Sequence, residues 1–151
     1  MSVGKGNIFL IQIESGEFVP GQIIAEDKRG MLCISCGLFD QRVSIQNDAS
    51  ELKLDFKNCF STLLVTPKSL DKDRWIIIGS QKLVIPKRFF PYEKEQKKGG
   101  VGAKIFDPGI VENFLNAYYS FKPWDMYYRA DYFDSMLLDA SKKPMNLIFS
   151  K

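Results

Sequence analysis

Cysteine is the residue type of this chain whose spacing first suggests chemistry, because Cys33 and Cys36 form a Cys-x-x-Cys pair. Such pairs occur in zinc sites and in redox sites. A structural zinc ion needs four ligands, however, and Cys59 is the only other soft ligand. A redox pair places its first cysteine at a helix N-terminus, whereas this pair lies in a predicted strand that sends the two side chains to opposite faces. We therefore expect buried free thiols, with no metal site and no disulfide.

Histidine is absent from the chain, and it is the commonest general base at neutral pH. Its absence excludes Ser-His-Asp, Cys-His and His-metal arrangements. The glycine-rich segment 99–104 is similar to a phosphate-binding loop, but it lacks the Gly-Lys-Ser/Thr ending and is interpreted as a flexible linker. We therefore expect a protein that is not an enzyme and binds no cofactor. A hydrolase that uses only carboxylates and lysines is the enzymatic alternative.

A basic segment with interleaved aromatic residues runs from Lys82 to Lys104. Its seven lysine and arginine side chains against two glutamates leave a net charge of +5, in a chain whose total is +3. Cations and aromatic rings together can bind single-stranded nucleic acid through phosphate contacts and base stacking. A small nucleic-acid-binding module is thus the alternative function, with these candidate residues: Lys87, Arg88, Phe89, Phe90, Lys97 and Lys98. Because the charge excess is small, a solvated loop is the preferred interpretation of the segment.

The elements that position these residues begin with an antiparallel meander. Apolar runs at 7–13, 18–26 and 31–37 predict three strands that are separated by short polar turns. Pro20 lacks an amide donor, which indicates an edge or a bulge in the second strand.

The middle of the chain contains further strand candidates at 60–65, 75–79 and 82–85, where aromatic and β-branched residues are enriched. The segment 91–102 that follows has no apolar period. We expect it to form a mobile loop that crosses the surface.

The last third of the chain changes to a helical period. Asp107 and Pro108 are typical of an N-cap followed by a first-turn proline, and this helix is expected to end at Lys122-Pro123. A second helix is predicted over 125–139, and 145–149 could return as a strand. Strands followed by helices predict the α+β class, a single domain over 1–151. A twisted antiparallel sheet fills its N-terminal two-thirds, with two C-terminal helices packed on one side.

The predicted second helix has two contrasting faces. Helical spacing turns an apolar face toward the core, with Met126, Ala130, Phe133 and Leu137. The opposite face contains the candidate partner-binding residues, which are Asp125, Tyr128, Asp131, Tyr132, Ser135 and Asp139. Two tyrosines one turn apart among carboxylates are typical of a recognition patch, because aromatic residues are enriched at interface hot spots. The alternative is that both rings pack against a neighbouring loop with their hydroxyl groups exposed.

The longest apolar runs are strand-sized and fall well short of the roughly 18 residues that cross a bilayer. The first residues also lack the basic region, apolar run and cleavage site of a secretion signal. We therefore expect a cytoplasmic protein without a membrane segment.

Two blocks of the N-terminal half carry a family resemblance. The first block is KGNIFLI at 5–11 with SGEFVPGQII at 15–24, and the second is WIIIG at 75–79 with Pro86 and Phe89-Phe90. These blocks resemble the Immunity protein 26 family of bacterial polymorphic-toxin systems. That family opens with Gly-Asp and an apolar strand, followed by Asp-Gly, an aromatic residue and Gly-Arg or Gly-Gln. Asn7 and Ser15 stand where the family often has Asp.

The resemblance implies a cytoplasmic antidote that binds the C-terminal toxin domain of a sister system, such as contact-dependent growth inhibition, and has no catalytic residues. We expect inhibition by occlusion through an interface of roughly 1,600 Å². If the toxin is a nuclease, its substrate channel is basic. Asp125, Asp131 and Asp139 would then compete for that channel, with Tyr128 and Tyr132 as anchors. The toxin's activity and the oligomeric state of the protein stay open.

Overall fold

A computed structural model describes residues 4–30, 32–44, 51–91 and 104–150. The predicted α+β class is confirmed, because a six-stranded sheet is followed by an α-helix, with short 3-10 turns both between the strands and after the helix. The strands are β1 Asn7–Gln12, β2 Phe18–Asp27, β3 Cys33–Phe39, β4 Cys59–Val65, β5 Ile76–Ser80 and β6 Ile105–Phe106. In the described part of the chain, the helix α1 spans Pro108–Tyr118, and 3-10 turns span Phe56–Asn58, Pro67–Asp73, Lys87–Phe89, Phe133–Met136 and Ala140–Lys142.

The strands lie in the order β5-β1-β2-β3-β4-β6, and only the β4–β6 pair is parallel. The predicted meander is therefore confirmed as the centre of the sheet, with strand ends within two residues of those predicted. The candidate strand 82–85 pairs with no described strand. Its backbone instead bonds to the buried side chain of Gln22, which donates to the Lys82 carbonyl at 3.1 Å and accepts from the Val84 amide at 3.1 Å.

Pro20 lies in an interior strand, one residue before the β2–β3 ladder begins. Phe18 exchanges two backbone hydrogen bonds with Val43, of 2.8 and 2.9 Å, so its amide points away from β1. The nitrogen of Pro20, two residues further on, points the same way, while the β2–β3 ladder begins only at Gly21–Leu38. The missing donor therefore lies on the side where β2 has no ladder partner at this residue, and the register shift of the β2–β3 ladder lies further along, between Ile23 and Ala25, so the bulge predicted at Pro20 is not found.

Both faces of the sheet are covered, which corrects the expectation of a sheet covered on one side. Phe9 and Ile11 point to the face packed by α1, whereas Ile8 and Leu10 point to a second core that includes Leu52, Leu54 and Ile85. All four β1 residues are fully buried. A continuous apolar run rather than an alternating one is the sequence signature of a strand buried on both faces.

The helix α1 begins where the sequence predicted, with Asp107 as N-cap and Pro108 in the first turn. It ends at Tyr118, four residues before Lys122-Pro123, because Ser120 adopts a left-handed conformation with φ of 67°. The side chains of Val111, Phe114 and Leu115 are fully buried against the sheet.

The prediction of a continuous helix over 125–139 is wrong. The segment forms irregular turns, with one 3-10 turn at Phe133–Met136. Trp124 and Phe133 are both fully buried and meet edge to face at 5.4 Å, around the ring of Phe114. Tyrosine, phenylalanine and aspartate are weak helix formers, so tertiary packing of these large rings outweighs the helical period of the segment.

Because the segment is not a helix, only part of its predicted core face is buried. Met126 and Ala130 are exposed, whereas Phe133 is buried and Leu137 is half-buried. The segment 145–149 also fails to form a strand, since it contributes only one bridge, between Ile148 and Pro123. Among the described residues, no helix is long and apolar enough to cross a membrane.

Candidate functional site

Three tyrosines form an aromatic cluster on the surface of segment 125–139. The ring centroids of Tyr127 and Tyr132 are 5.1 Å apart, and those of Tyr128 and Tyr132 are 6.1 Å apart. Tyr128 is 85% exposed, which makes it the most exposed aromatic side chain among the described residues. A large ring that is left in water on an ordered segment is the type of side chain that anchors protein interfaces.

A buried layer of aromatic rings supports this tyrosine cluster. Phe133 is fully buried, and the centroid of its ring lies 5.2 Å from that of Tyr127 and 6.0 Å from that of Tyr132. The hydroxyl oxygen of Tyr127 accepts a hydrogen bond of 2.8 Å from Asn113 of α1. The cluster is therefore fixed to the helix before any partner binds, which lowers the conformational entropy that binding would remove.

Cations border the tyrosine cluster. The ammonium of Lys104 lies 5.5 Å from the ring centroid of Tyr132, and the guanidinium carbon of Arg129 lies 5.9 Å from it. Arg129 also pairs with Asp131 at 3.1 Å. Burial, together with the neighbouring tyrosines Tyr127 and Tyr128, raises the pKa of Tyr132 above its usual value. Its hydroxyl group therefore stays neutral at physiological pH and can donate a hydrogen bond.

The six residues predicted for one helix face divide into two groups. Tyr128, Asp131 and Ser135 are exposed and Tyr132 is half-buried, so these four remain available to a partner. The hydroxyl group of Ser135 donates to the carbonyl of Tyr132 at 2.6 Å.

The other two predicted residues have structural partners. Asp125 is only 6% exposed, and its carboxylate accepts hydrogen bonds from the amide and the hydroxyl of Ser150, at 2.8 and 3.0 Å. Asp139 is exposed, but its carboxylate caps the turn Ala140–Lys142 by accepting from the amide of Ser141 at 2.8 Å. Hydrogen bonds from Ser141 hold the pKa of Asp139 below its usual value. The structure therefore separates both carboxylates from the predicted face.

A set of exposed apolar side chains, which sequence reasoning missed, lies on this segment and on the stretches of chain next to it. Its side chains share the property of being large, apolar and in contact with solvent; they are Phe121, Met126, Met145, Ile148 and Phe149. We call this set the C-terminal apolar patch. Three of its members belong to the run Met-Asn-Leu-Ile-Phe at 145–149, for which the sequence predicts a strand.

The alternative nucleic-acid site is only partly described. Phe89 and Phe90 are half-buried against the second core, and the ring of Phe89 packs on Phe56 with centroids 4.8 Å apart. The guanidinium of Arg88 covers the same ring at 4.7 Å. Lys97 and Lys98, like residues 92–102 of the loop predicted over 91–102, lie outside the described residues. Since packing and Arg88 occupy the ring faces of Phe89, little of that ring is left for base stacking.

A polar cleft of about 440 Å³ separates the turn after β1 from α1. Lys122 donates to the side-chain oxygen of Asn113 at 2.7 Å, and the Asn116 side chain accepts from the amide of Glu14 at 2.8 Å. These amide side chains join the turn, the helix and the chain after it. The polar side chains of the cleft therefore hold these three parts of the chain together. The sequence did not predict this cleft.

The cysteines provide no reactive centre. All three are buried and free, and Cys36 belongs to the core under α1 whereas Cys59 belongs to the opposite core. Burial raises the pKa of Cys33 and of Cys59 to about 11 and raises that of Cys36 further, so the thiols stay protonated. Within the described parts of the chain, no group of three or more acidic or cysteine side chains is placed to hold a metal ion.

Comparison of the chain with models of protein families, with curated proteins and with solved structures gave no match. The features that bear on function are therefore the surface just described and the motifs of the N-terminal half.

Proposed function

We propose that the protein is an immunity protein that binds a bacterial toxin domain and covers its active site. The observation that carries this proposal is the exposed ring of Tyr128, which stands on a preformed aromatic cluster. An aromatic anchor on an ordered support loses little entropy when it is buried by a partner. The resemblance of the N-terminal blocks to the Immunity protein 26 family supplies the class of partner.

Inhibition then needs only a surface and no reaction by this chain. An interface of ordinary size covers roughly 800 Å² on each partner, which is enough to block a substrate channel. Tyr128 would insert into a pocket of the toxin, and Tyr132 and Asp131 would lie at its rim. Rim contacts exclude water from the anchor residue, although each of them contributes little to the binding free energy by itself.

The direct test is coexpression with a toxin domain. A long secreted protein with a variable C-terminal end, encoded immediately upstream of this chain, would supply that domain. The expected result is restored growth of cells that express the toxin, together with a stable complex of the two purified proteins. Continued killing in the presence of excess protein would overturn the proposal, as would a measurable reaction catalysed by the protein itself.

The Tyr128→Ala, Tyr132→Ala double variant tests the surface. If both rings are anchors, their removal should weaken toxin binding by more than about 2 kcal/mol, or roughly 30-fold in Kd. The matched control is Leu32→Ala, which removes an exposed apolar side chain from the turn between β2 and β3. An unchanged Kd for the double variant would exclude the tyrosine cluster as the interface.

A further inference from the structure

The outer edge of β4 contains a residue whose backbone groups face away from the sheet. Strand β3 pairs with the inner side of β4, and along a strand the backbone groups of every second residue point to the same side. On the outer side, the carbonyl of Phe60 accepts from the amide of Leu138 at 2.8 Å. Further along the same side, the amide of Thr66 donates to the carbonyl of Phe106 at 3.0 Å. The amide and the carbonyl of Thr62, which lies between these two points, therefore face outward as well.

No described residue is hydrogen-bonded to these two groups of Thr62 on the outer side. Strand β6 covers this edge only opposite Leu64 and Val65, and Leu138 covers it only at Phe60. The stretch from Phe60 to Leu64 is roughly 13 Å long, at about 3.3 Å per residue, which gives room for an extended segment. An open stretch of sheet edge presents the donor and the acceptor with which a further strand pairs.

A groove runs along this open stretch. Two cavities of about 300 and 550 Å³ lie side by side there, and they share the lining residues Thr62, Pro91 and Ser135. The hydroxyl group of Ser135 donates to the carbonyl of Tyr132, which leaves the lone pairs of its oxygen to accept from a ligand. Volumes of this size are typical of clefts that bind ligands. The groove therefore combines space with polar groups that can bind a peptide backbone.

The two described cations that line the groove have no carboxylate partner. Arg88 lines one cavity and Lys104 the other, and both side chains are exposed. Each cation contacts an aromatic ring instead, Arg88 at 4.7 Å from the centroid of Phe89 and Lys104 at 5.5 Å from that of Tyr132. No aspartate or glutamate is among the described residues that line either cavity. Because a cation on a ring face still has N–H groups to donate, the groove attracts negative charge at both ends.

We infer that this groove binds an acidic, extended peptide segment of a partner protein, which adds to the outer edge of β4 at Thr62. The peptide backbone accepts from the amide of Thr62 and donates to its carbonyl, and peptide carboxylates bind Arg88 and Lys104. Single-stranded RNA fits less well, because its phosphates cannot donate to the Thr62 carbonyl and because Arg88 covers a face of the Phe89 ring. The groove requires neither Tyr128 nor the class of partner proposed above, so either site can exist without the other.

Fluorescence anisotropy with a fluorescein-labelled heptapeptide, Glu-Val-Glu-Val-Glu-Val-Glu, tests the groove on the full chain. We expect saturable binding with a Kd below about 1 mM. Arg88→Ala and Lys104→Ala should each raise the Kd at least about threefold, because each removes a charge that faces the peptide. Lys5→Ala is the matched control, since Lys5 is an exposed lysine before β1, and β2 and β3 separate β1 from β4.

A second peptide, Glu-Pro-Glu-Pro-Glu-Pro-Glu, keeps the charge but loses the amide donors that strand pairing needs. It should bind at least about tenfold more weakly than the valine peptide. Absence of saturable binding up to about 1 mM valine peptide would overturn the inference, as would equal Kd values for the two peptides. Tighter binding of an octauridylate RNA than of the valine peptide would also overturn it and would favour the nucleic-acid alternative.

Amide hydrogen exchange followed by NMR measures the backbone pairing itself. In the free protein the amide of Thr62 should exchange at least about tenfold faster than that of Leu63, which points toward β3. Saturation with the valine peptide should slow exchange at Thr62 at least about tenfold and leave Leu63 unchanged. Slow exchange at Thr62 in the free protein would show that this edge is already paired and would overturn the inference. Fast exchange at Thr62 in the peptide complex would overturn it as well.

Discussion

The indole N–H of Trp75 donates a hydrogen bond of 3.1 Å to the carboxylate of Glu112, which joins the entry to the edge strand β5 to the helix α1. Arg74 binds the same carboxylate through two nitrogens, at 2.6 and 2.8 Å. Trp75 is 1% exposed and stacks on Phe9 with centroids 5.4 Å apart. One carboxylate therefore satisfies a buried indole donor and fixes the outer strand of the sheet against the helix.

The Glu112→Ala variant should lower the free energy of unfolding by about 1 to 3 kcal/mol, because it leaves the buried indole N–H of Trp75 without a partner. Urea unfolding followed by tryptophan fluorescence measures the change. The matched control is Asp131→Ala, since Asp131 takes part in an exposed ion pair with Arg129 and should contribute less than about 1 kcal/mol. Equal effects of the two substitutions would contradict the structural role of Glu112.

The contribution of Glu112 should depend on pH. Burial raises the pKa of this carboxyl group, but hydrogen bonds from Arg74 and Trp75 outweigh that effect and leave the net pKa below its usual value. A carboxylate with a lowered folded pKa stabilises the native state above its unfolded pKa of about 4.3, and loses this contribution as the pH falls through the folded pKa. The difference in unfolding free energy between the wild type and Glu112→Gln should therefore be larger at pH 7 than at pH 3. A difference that is equal at both values would contradict this assignment.

Gly21 allows β2 to lie beside the aromatic ring of Phe9. A Cβ atom built at this position would come within 2.3 Å of the ring of Phe9 and 2.9 Å of the Gly37 carbonyl oxygen. Gly21→Ala should therefore lower the unfolding free energy by about 1 to 3 kcal/mol through overpacking. Gly4→Ala is the control, because no atom lies within 4 Å of its added methyl group. Thermal unfolding of both variants checks the prediction, which a neutral Gly21→Ala would exclude.

The thiols should be unreactive in the native protein. Burial raises the pKa of Cys33 and Cys59 to about 11, so the thiolate fraction at pH 8 is small, and all three cysteines are inaccessible. Labelling with 5,5′-dithiobis(2-nitrobenzoate) at pH 8 should be slow in buffer and complete in guanidinium chloride, where all three thiols react. Rapid labelling of any thiol in the folded protein would contradict the buried positions found here.

The parts of the fold that were predicted correctly depend on signals within a few residues of each other. The strands β1 to β3 follow from apolar runs bounded by turns, and the start of α1 follows from Asp107 and Pro108. The segment 125–139 also has a helical period, but it does not form a helix, because its conformation depends on contacts with aromatic rings in other parts of the chain. Phe133 packs on Phe114 of α1, nineteen positions earlier in the chain, and local spacing contains no information about that contact.

The amino-acid sequence by itself determined the α+β class, the meander, the burial of the cysteines and the presence of tyrosines that could anchor a partner. Each of these follows from residue type and short-range period, because backbone geometry and apolar burial act on neighbouring residues. Only the tertiary structure decided which side chains are exposed to solvent and which of them lie close to one another. Asp125 is removed from the surface by Ser150, 25 residues away, and the same hydrogen bonds place Phe149 beside Tyr128's segment. Such pairings form between distant parts of the chain, where folding and not spacing selects the partner.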